Sequence, residues 1–113
     1  MNSKYILIVN GEPNSIFLEI FFKTLKYRKF NNPIILISSE KLLKLQMKHF
    51  NFKKKIRVLD YRKLDEYNIN NKSINLINVD FAQTKPFEKI SSKSNDFIKK
   101  SFNLGFKIIK KYK

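Results

Sequence analysis

Cysteine is absent from this 113-residue chain. That absence excludes a disulfide framework, thiolate metal ligands and a cysteine nucleophile together. A single histidine, His49, excludes any metal centre built on two or three imidazoles. With only Gly11 and Gly105 present, neither a G-x-G-x-x-G loop nor a Walker A loop can be written anywhere. No stretch approaches the roughly 20 apolar residues of a membrane span. The short apolar run near the start falls well below the length of a secretory signal. A soluble, cytoplasmic protein is therefore the expectation.

What is present is one small domain's worth of residues, taken as a single unit over 1–113. Apolar residues make up 42% of the chain, enough to build a core rather than a disordered segment. The 24 basic residues against 9 acidic ones give a formal charge of +15. Twenty-one of the basic residues are Lys, alongside 13 Asn, 15 Ile and one alanine, Ala82. Such a bias follows from AT-rich coding DNA whatever the protein does. A phosphate-reading surface recruits Arg, whose planar fork pairs bidentately with phosphate oxygens. Only Arg28, Arg57 and Arg62 occur, and they are scattered. The lysines read as solvated helix faces, and nucleic acid is not the expected partner.

Four short apolar runs, over residues 5–9, 33–37, 56–59 and 74–79, read as strands. The first two are continuous rather than alternating, as in strands covered by helices on both faces. Helical periodicity follows the first run. Asn14 or Ser15 is placed to cap it, and Ile16, Phe17, Ile20, Phe21 and Leu25 form its apolar face. Glu19, Lys23 and Lys26 form a narrow polar stripe. Ser39 caps a second helix reaching about Phe50, with Leu43, Met47 and Phe50 inside and Glu40 in its first turn. A third helix over about 92–110 turns Phe97, Ile98, Ser101, Phe102, Gly105, Ile108 and Ile109 inward. Gly105 within that helix implies close approach to a neighbour. Residues 60–73 read as a loop or a short helix over 63–67, and 81–89 as a loop. Strands alternating with helices predict a three-layer α/β fold, a mainly parallel sheet with helices on both faces. A long helix in such a chain normally leads to another strand, so the sequence reads as part of a larger α/β unit.

Ligands of open parallel sheets bind beyond the carboxyl ends of the strands. Those ends carry Asn10 to Asn14, then Ser38 and Ser39, then Asp60, then Asp80. The first of these loops is the candidate cleft, with Gly11, Glu12, Pro13 and Asn14 at its centre. Gly11 permits a sharp turn, Pro13 stiffens it, and the helix behind it offers free N–H groups to an anion. Glu12, Asp60 and Asp80 are the carboxylates available as bases or magnesium ligands, though such residues at strand ends also serve as turn formers and caps. His49, between Met47 and Phe50, reads as a packing residue. From composition and spacing, a free-standing α/β phosphate- or nucleotide-binding domain and a basic nucleic-acid-binding module both remain open.

The stretch from Ile6 to Glu19 resembles the opening of the 4-hydroxythreonine-4-phosphate dehydrogenase family, an apolar strand followed by G-[DE]-P-A-G-I-G-P-E. Gly11, Glu12, Pro13, Ile16 and Glu19 fall on that pattern, and Asn14, Ser15, Phe17 and Leu18 depart from it. The resemblance implies the N-terminal portion of an isocitrate/isopropylmalate-dehydrogenase-like fold. It also implies NAD and a divalent metal as cofactors and a homodimer when full length. The implied substrate is a small phosphorylated hydroxy amino acid, oxidised and then decarboxylated in vitamin B6 (pyridoxal phosphate) synthesis. The family's metal-binding histidines have no counterpart among these residues, so no catalytic or metal-binding residue is assigned, and the fragment is expected to be inactive by itself. Residues 11–14 are the substrate cleft the resemblance implies.

Overall fold

The computed structural model describes residues 5–112. Its elements run β1 (Ile6–Val9), α1 (Phe17–Tyr27), β2 (Ile34–Ser38), α2 (Glu40–His49), β3 (Ile56–Val58), a 3₁₀ helix (Tyr61–Glu66), β4 (Ile74–Asn78) and α3 (Ser94–Lys111). All strand pairs are parallel, in the order β1-β2-β4-β3. Ile6 stands opposite Ile34, Leu36 opposite Leu76 and Ile56 opposite Ile74. The expected three-layer α/β architecture is the observed one.

Alternation along the strands divides the core in two. Ile34, Leu36, Ile74 and Leu76 face α1 and α2, packing on Leu18, Phe21, Phe22, Leu42, Leu43 and Met47. Ile35, Ile37, Ile77 and Val79 face the 3₁₀ helix and α3, against Leu59, Leu64, Phe97 and Ile108. The β1–β2 and β2–β3 connections thus cross on one face and the β3–β4 connection on the other. A single hand of crossover requires this, because the third connection runs back across the sheet.

Helix ends follow local chemistry. The Ser39 hydroxyl accepts from the Leu42 N–H at 3.2 Å, the expected cap. For α1 the expectation shifts: Ile16 is the N-cap residue without a side-chain bond, and Ser15 Oγ instead accepts from Phe17 N–H at 3.2 Å. The face of α1 is also rotated from the one expected. Leu18, Phe21 and Phe22 are buried, while Ile16 and Ile20 are exposed. On α3, Phe97, Ser101, Gly105 and Ile108 are buried as expected, but Phe102 and Ile109 are exposed. Both departures have one cause: β1 lies at the edge of the sheet, so each helix beside it covers the sheet over only part of its apolar arc. Gly105 does mark a close approach, since a Cβ there would lie 3.2 Å from Val9 Cγ2 and 3.7 Å from Ile37 Cδ1. Among the described residues, no helix is long and apolar enough to cross a membrane.

Candidate functional site

The carboxyl end of β1 opens into the loop singled out from sequence. Asn10, almost fully buried, donates from Nδ2 to Ser38 Oγ at 2.9 Å and so ties the ends of β1 and β2 together. Glu12 then turns the chain. Its Oε1 accepts from the Asn14 N–H at 3.1 Å and from the Ser94 hydroxyl, at the start of α3, at 3.2 Å. Its carbonyl accepts from Ser15 Oγ at 2.8 Å. The Glu12 carboxylate is thereby a positioning group, holding the loop against α3.

The outer wall of the loop is the segment over 81–89, and three amides join the two. Gln46, buried on α2, donates from Nε2 to the carbonyls of Pro13 (3.2 Å) and Pro86 (2.9 Å). Gln83 donates from Nε2 to Asn14 Oδ1 and to the Lys85 carbonyl, both at 2.8 Å. Asn14 Oδ1 accepts a second bond, from the Glu88 N–H at 2.9 Å. Glu88 is in turn anchored by Lys93 at 3.0 Å, and that ammonium holds its carboxyl below the usual glutamate range. Here the chain uses amides where a charged site would use carboxylates. Asn10 Oδ1, Asn14 Nδ2, Gln46 Oε1 and Gln83 Oε1 are buried polar atoms left without a partner in this neighbourhood.

Sequence reasoning found the loop and missed its clamp. Gln46 carries a readable signal, an amide set in the apolar stripe of α2 between Leu42, Leu43 and Met47. Ser94 carries a similar one, a hydroxyl on the face that Phe97 and Ser101 share. Nothing local marks Gln83, whose burial depends on the loop folding back to reach Asn14, 69 positions earlier in the chain.

Gly11 behaves differently from its expected role. It keeps a negative φ, and a Cβ added there would meet nothing within 4 Å. The turn therefore does not need glycine, and what the residue provides is a length of bare backbone at the end of β1.

The three strand-end carboxylates do not converge. Glu12 faces α3, while Asp60 caps the 3₁₀ helix through the Arg62 N–H at 2.9 Å and pairs with the Arg62 side chain at 3.1 Å. That guanidinium lowers the Asp60 pKa from its ordinary value. Asp80 accepts from Asn78 Nδ2 at 3.0 Å beside an open depression shared with Ser39 and Glu40. Among the described residues, no three His, Cys, Asp or Glu side chains gather where they could hold a metal ion. His49 packs edge-on against Phe50 and Phe87, ring centroids 4.7 and 5.5 Å away, in keeping with a packing role.

No family model and no curated protein sequence matches the chain. Its fold is similar to a solved structure described as "a putative 4-hydroxythreonine-4-phosphate dehydrogenase from Salmonella typhimurium", with a TM-score of 0.81 and 22% sequence identity. The match covers 98% of this chain and 35% of that one, so the chain spans about a third of the solved protein's length. At this identity the likeness establishes the fold: a parallel α/β sheet arranged as in that dehydrogenase structure, with the Gly11–Glu12–Pro13 loop at the carboxyl end of its first strand.

Proposed function

We propose that the chain is the N-terminal portion of an NAD-dependent, metal-dependent dehydrogenase of the 4-hydroxythreonine-4-phosphate type, with residues 11–14 lining its substrate cleft. The full-length enzyme would oxidise the hydroxyl of 4-hydroxythreonine 4-phosphate, and the 2-amino-3-oxo acid formed would then lose carbon dioxide, in pyridoxal phosphate synthesis. One observation carries the reading. The residues that match the family's opening motif, Gly11, Glu12 and Pro13, sit at the carboxyl end of β1, entering α1, in a chain with that dehydrogenase fold.

The chain's own residues suit a cleft wall rather than a catalytic centre. Glu12 is committed to the Asn14 N–H and the Ser94 hydroxyl, so it shapes the loop. Gly11 leaves main-chain groups uncovered for a ligand to approach. The described residues do not fit the divalent cation of such an enzyme, since no three of their His, Asp or Glu side chains converge. When bound elsewhere in the full enzyme, the cation would polarise the substrate hydroxyl and the ketone formed from it. Cytoplasmic localisation and a homodimeric full-length enzyme belong to the same proposal.

The test begins with the coding DNA beyond the Lys113 codon. The complete encoded polypeptide is then assayed with NAD, a divalent cation and 4-hydroxythreonine 4-phosphate. The expected result is reduced nicotinamide and released carbon dioxide from the complete polypeptide and neither from residues 1–113 alone. A stop codon after Lys113, or a longer polypeptide without turnover, would overturn the proposal. Thermal stabilisation of residues 1–113 by inorganic phosphate or NAD would favour a free-standing phosphate-binding domain instead.

A further inference from the structure

The nine acidic residues are not spread evenly over the fold. Glu12, Asp60 and Asp80 follow the carboxyl ends of strands, and Glu88 lies in the segment after β4. Glu19, Glu40 and Asp96 occupy the first turns of α1, α2 and α3. Because each helix runs back against the parallel strands, all seven belong to the carboxyl end of the sheet. The other two, Asp65 and Glu66, sit on the 3₁₀ helix.

The amino end of the sheet carries cations instead, around two adjoining depressions. One, of about 460 Å³, is lined by Lys26, Arg28, Lys29 and Lys54, with Tyr27 and Phe30 beside them. The other, of about 400 Å³, is lined by Lys55, Arg57 and Lys72 among asparagine and serine side chains. No carboxylate lines either depression, and among the described residues none of the seven cations is ion-paired. The frame beneath them is fixed. Asn71 donates from Nδ2 to the Phe30 and Asn32 carbonyls at 3.3 and 2.9 Å and accepts from the Ile34 N–H at 2.8 Å, joining the two loops. Arg57 lies over the Tyr67 ring, 5.2 Å from its centre, and donates to the Asn68 carbonyl at 2.8 Å.

Along the sequence these cations are dispersed, and only the fold gathers them. A biased coding composition sets how many lysines there are, not where carboxylates are left out. The helix macrodipole accounts for Lys26 in the last turn of α1, and protection of an edge strand accounts for Lys55 before β3. Neither calls for Arg28, Lys29 or Lys72, which lie outside every helix and strand.

We infer that the amino end of the sheet binds single-stranded nucleic acid, its phosphates laid across the two depressions and a base stacked on Tyr27, 73% exposed at the rim. Several cations set along concave walls match a ligand that carries several phosphates on a flexible chain. A lipid surface is flat and meets only the rims of such concavities, and a duplex is too stiff to follow them. The loop over 11–14 is at the opposite end of the sheet, so the inference does not depend on the function proposed above.

The experiment follows the fluorescence anisotropy of a labelled single strand of about 12 nucleotides, titrated with the complete encoded polypeptide as potassium chloride is raised. Four seated phosphates give a slope of log affinity against log salt of about −3. Lys29→Glu with Lys72→Glu should weaken binding at least about tenfold and make that slope shallower by about 1. Lys63→Glu with Lys99→Glu makes the same change in net charge away from both depressions, and should leave Kd within about twofold. Tyr27→Ala should weaken binding at least about fivefold with no change in slope, because stacking releases no counterions. All five positions are exposed, and circular dichroism should match the parent in each variant. Absence of binding at low salt, an equal loss from the Lys63 and Lys99 pair, or an indifferent Tyr27→Ala would overturn the inference. So would tighter capture by duplex DNA or by vesicles rich in phosphatidylserine.

Discussion

Gln46→Leu removes one side-chain amide without opening much space, and it tests whether the clamp on residues 11–14 holds as described. The Gln46 side chain is fully buried, and its Nε2 serves the carbonyls of both Pro13 and Pro86. Leucine there leaves the Pro13 carbonyl without that donor, while Pro86 keeps only a long contact of 3.4 Å from Gln83. Two hydrogen bonds at about 1 kcal/mol each are lost, partly offset because the unpartnered Oε1 of Gln46 also goes. The net cost is about 1.5 kcal/mol, or roughly 8 °C in Tm for a domain of this size. Urea unfolding followed by circular dichroism reads the stability, and amide exchange at Asn14 and Glu88 reads the loop. Both amides should exchange faster, ahead of global unfolding, because the loop and the 81–89 segment lose their common anchor. A Gln46→Leu protein within about 0.5 kcal/mol of the parent, with unchanged exchange at both amides, would refute the clamp.

Three further outcomes follow from the same structure. Ser39→Ala removes the cap on the Leu42 N–H and should cost about 1 kcal/mol in a urea titration, whereas Ser39→Asp should retain most of the stability. Gly105→Val drives a branched side chain against Val9 and Ile37 and should destabilise by about 2 kcal/mol despite valine's better helix propensity, measured by thermal unfolding. The Glu88 pKa is lowered chiefly by its bond to Lys93, so its contribution to stability is complete above the ordinary glutamate range and is lost as pH falls through the lowered value. Glu88→Gln should therefore flatten that part of the acid unfolding profile and lower stability at neutral pH by the amount the parent protein loses over that range.

Sequence alone determined the elements and their order. Continuous Ile/Val runs near five residues long, separated by helical spacing, admit little besides parallel strands with covering helices, because an apolar face of each kind must find a partner. It also marked the loop from Asn10 to Ser15 and the Ser39 cap, since both depend on residues within a few positions of each other. The tertiary structure decided the rest. Strand order left β1 at an edge, and this exposed Ile16, Ile20, Phe102 and Ile109, which periodicity had assigned to the interior. A helical wheel shows which residues share a face but not how much of that face a neighbour covers. Likewise, Gln46, Gln83 and Ser94 join residues 11–14 from positions 33 to 82 residues away, a closeness that only the packing of α2, α3 and the 81–89 segment around the first loop creates.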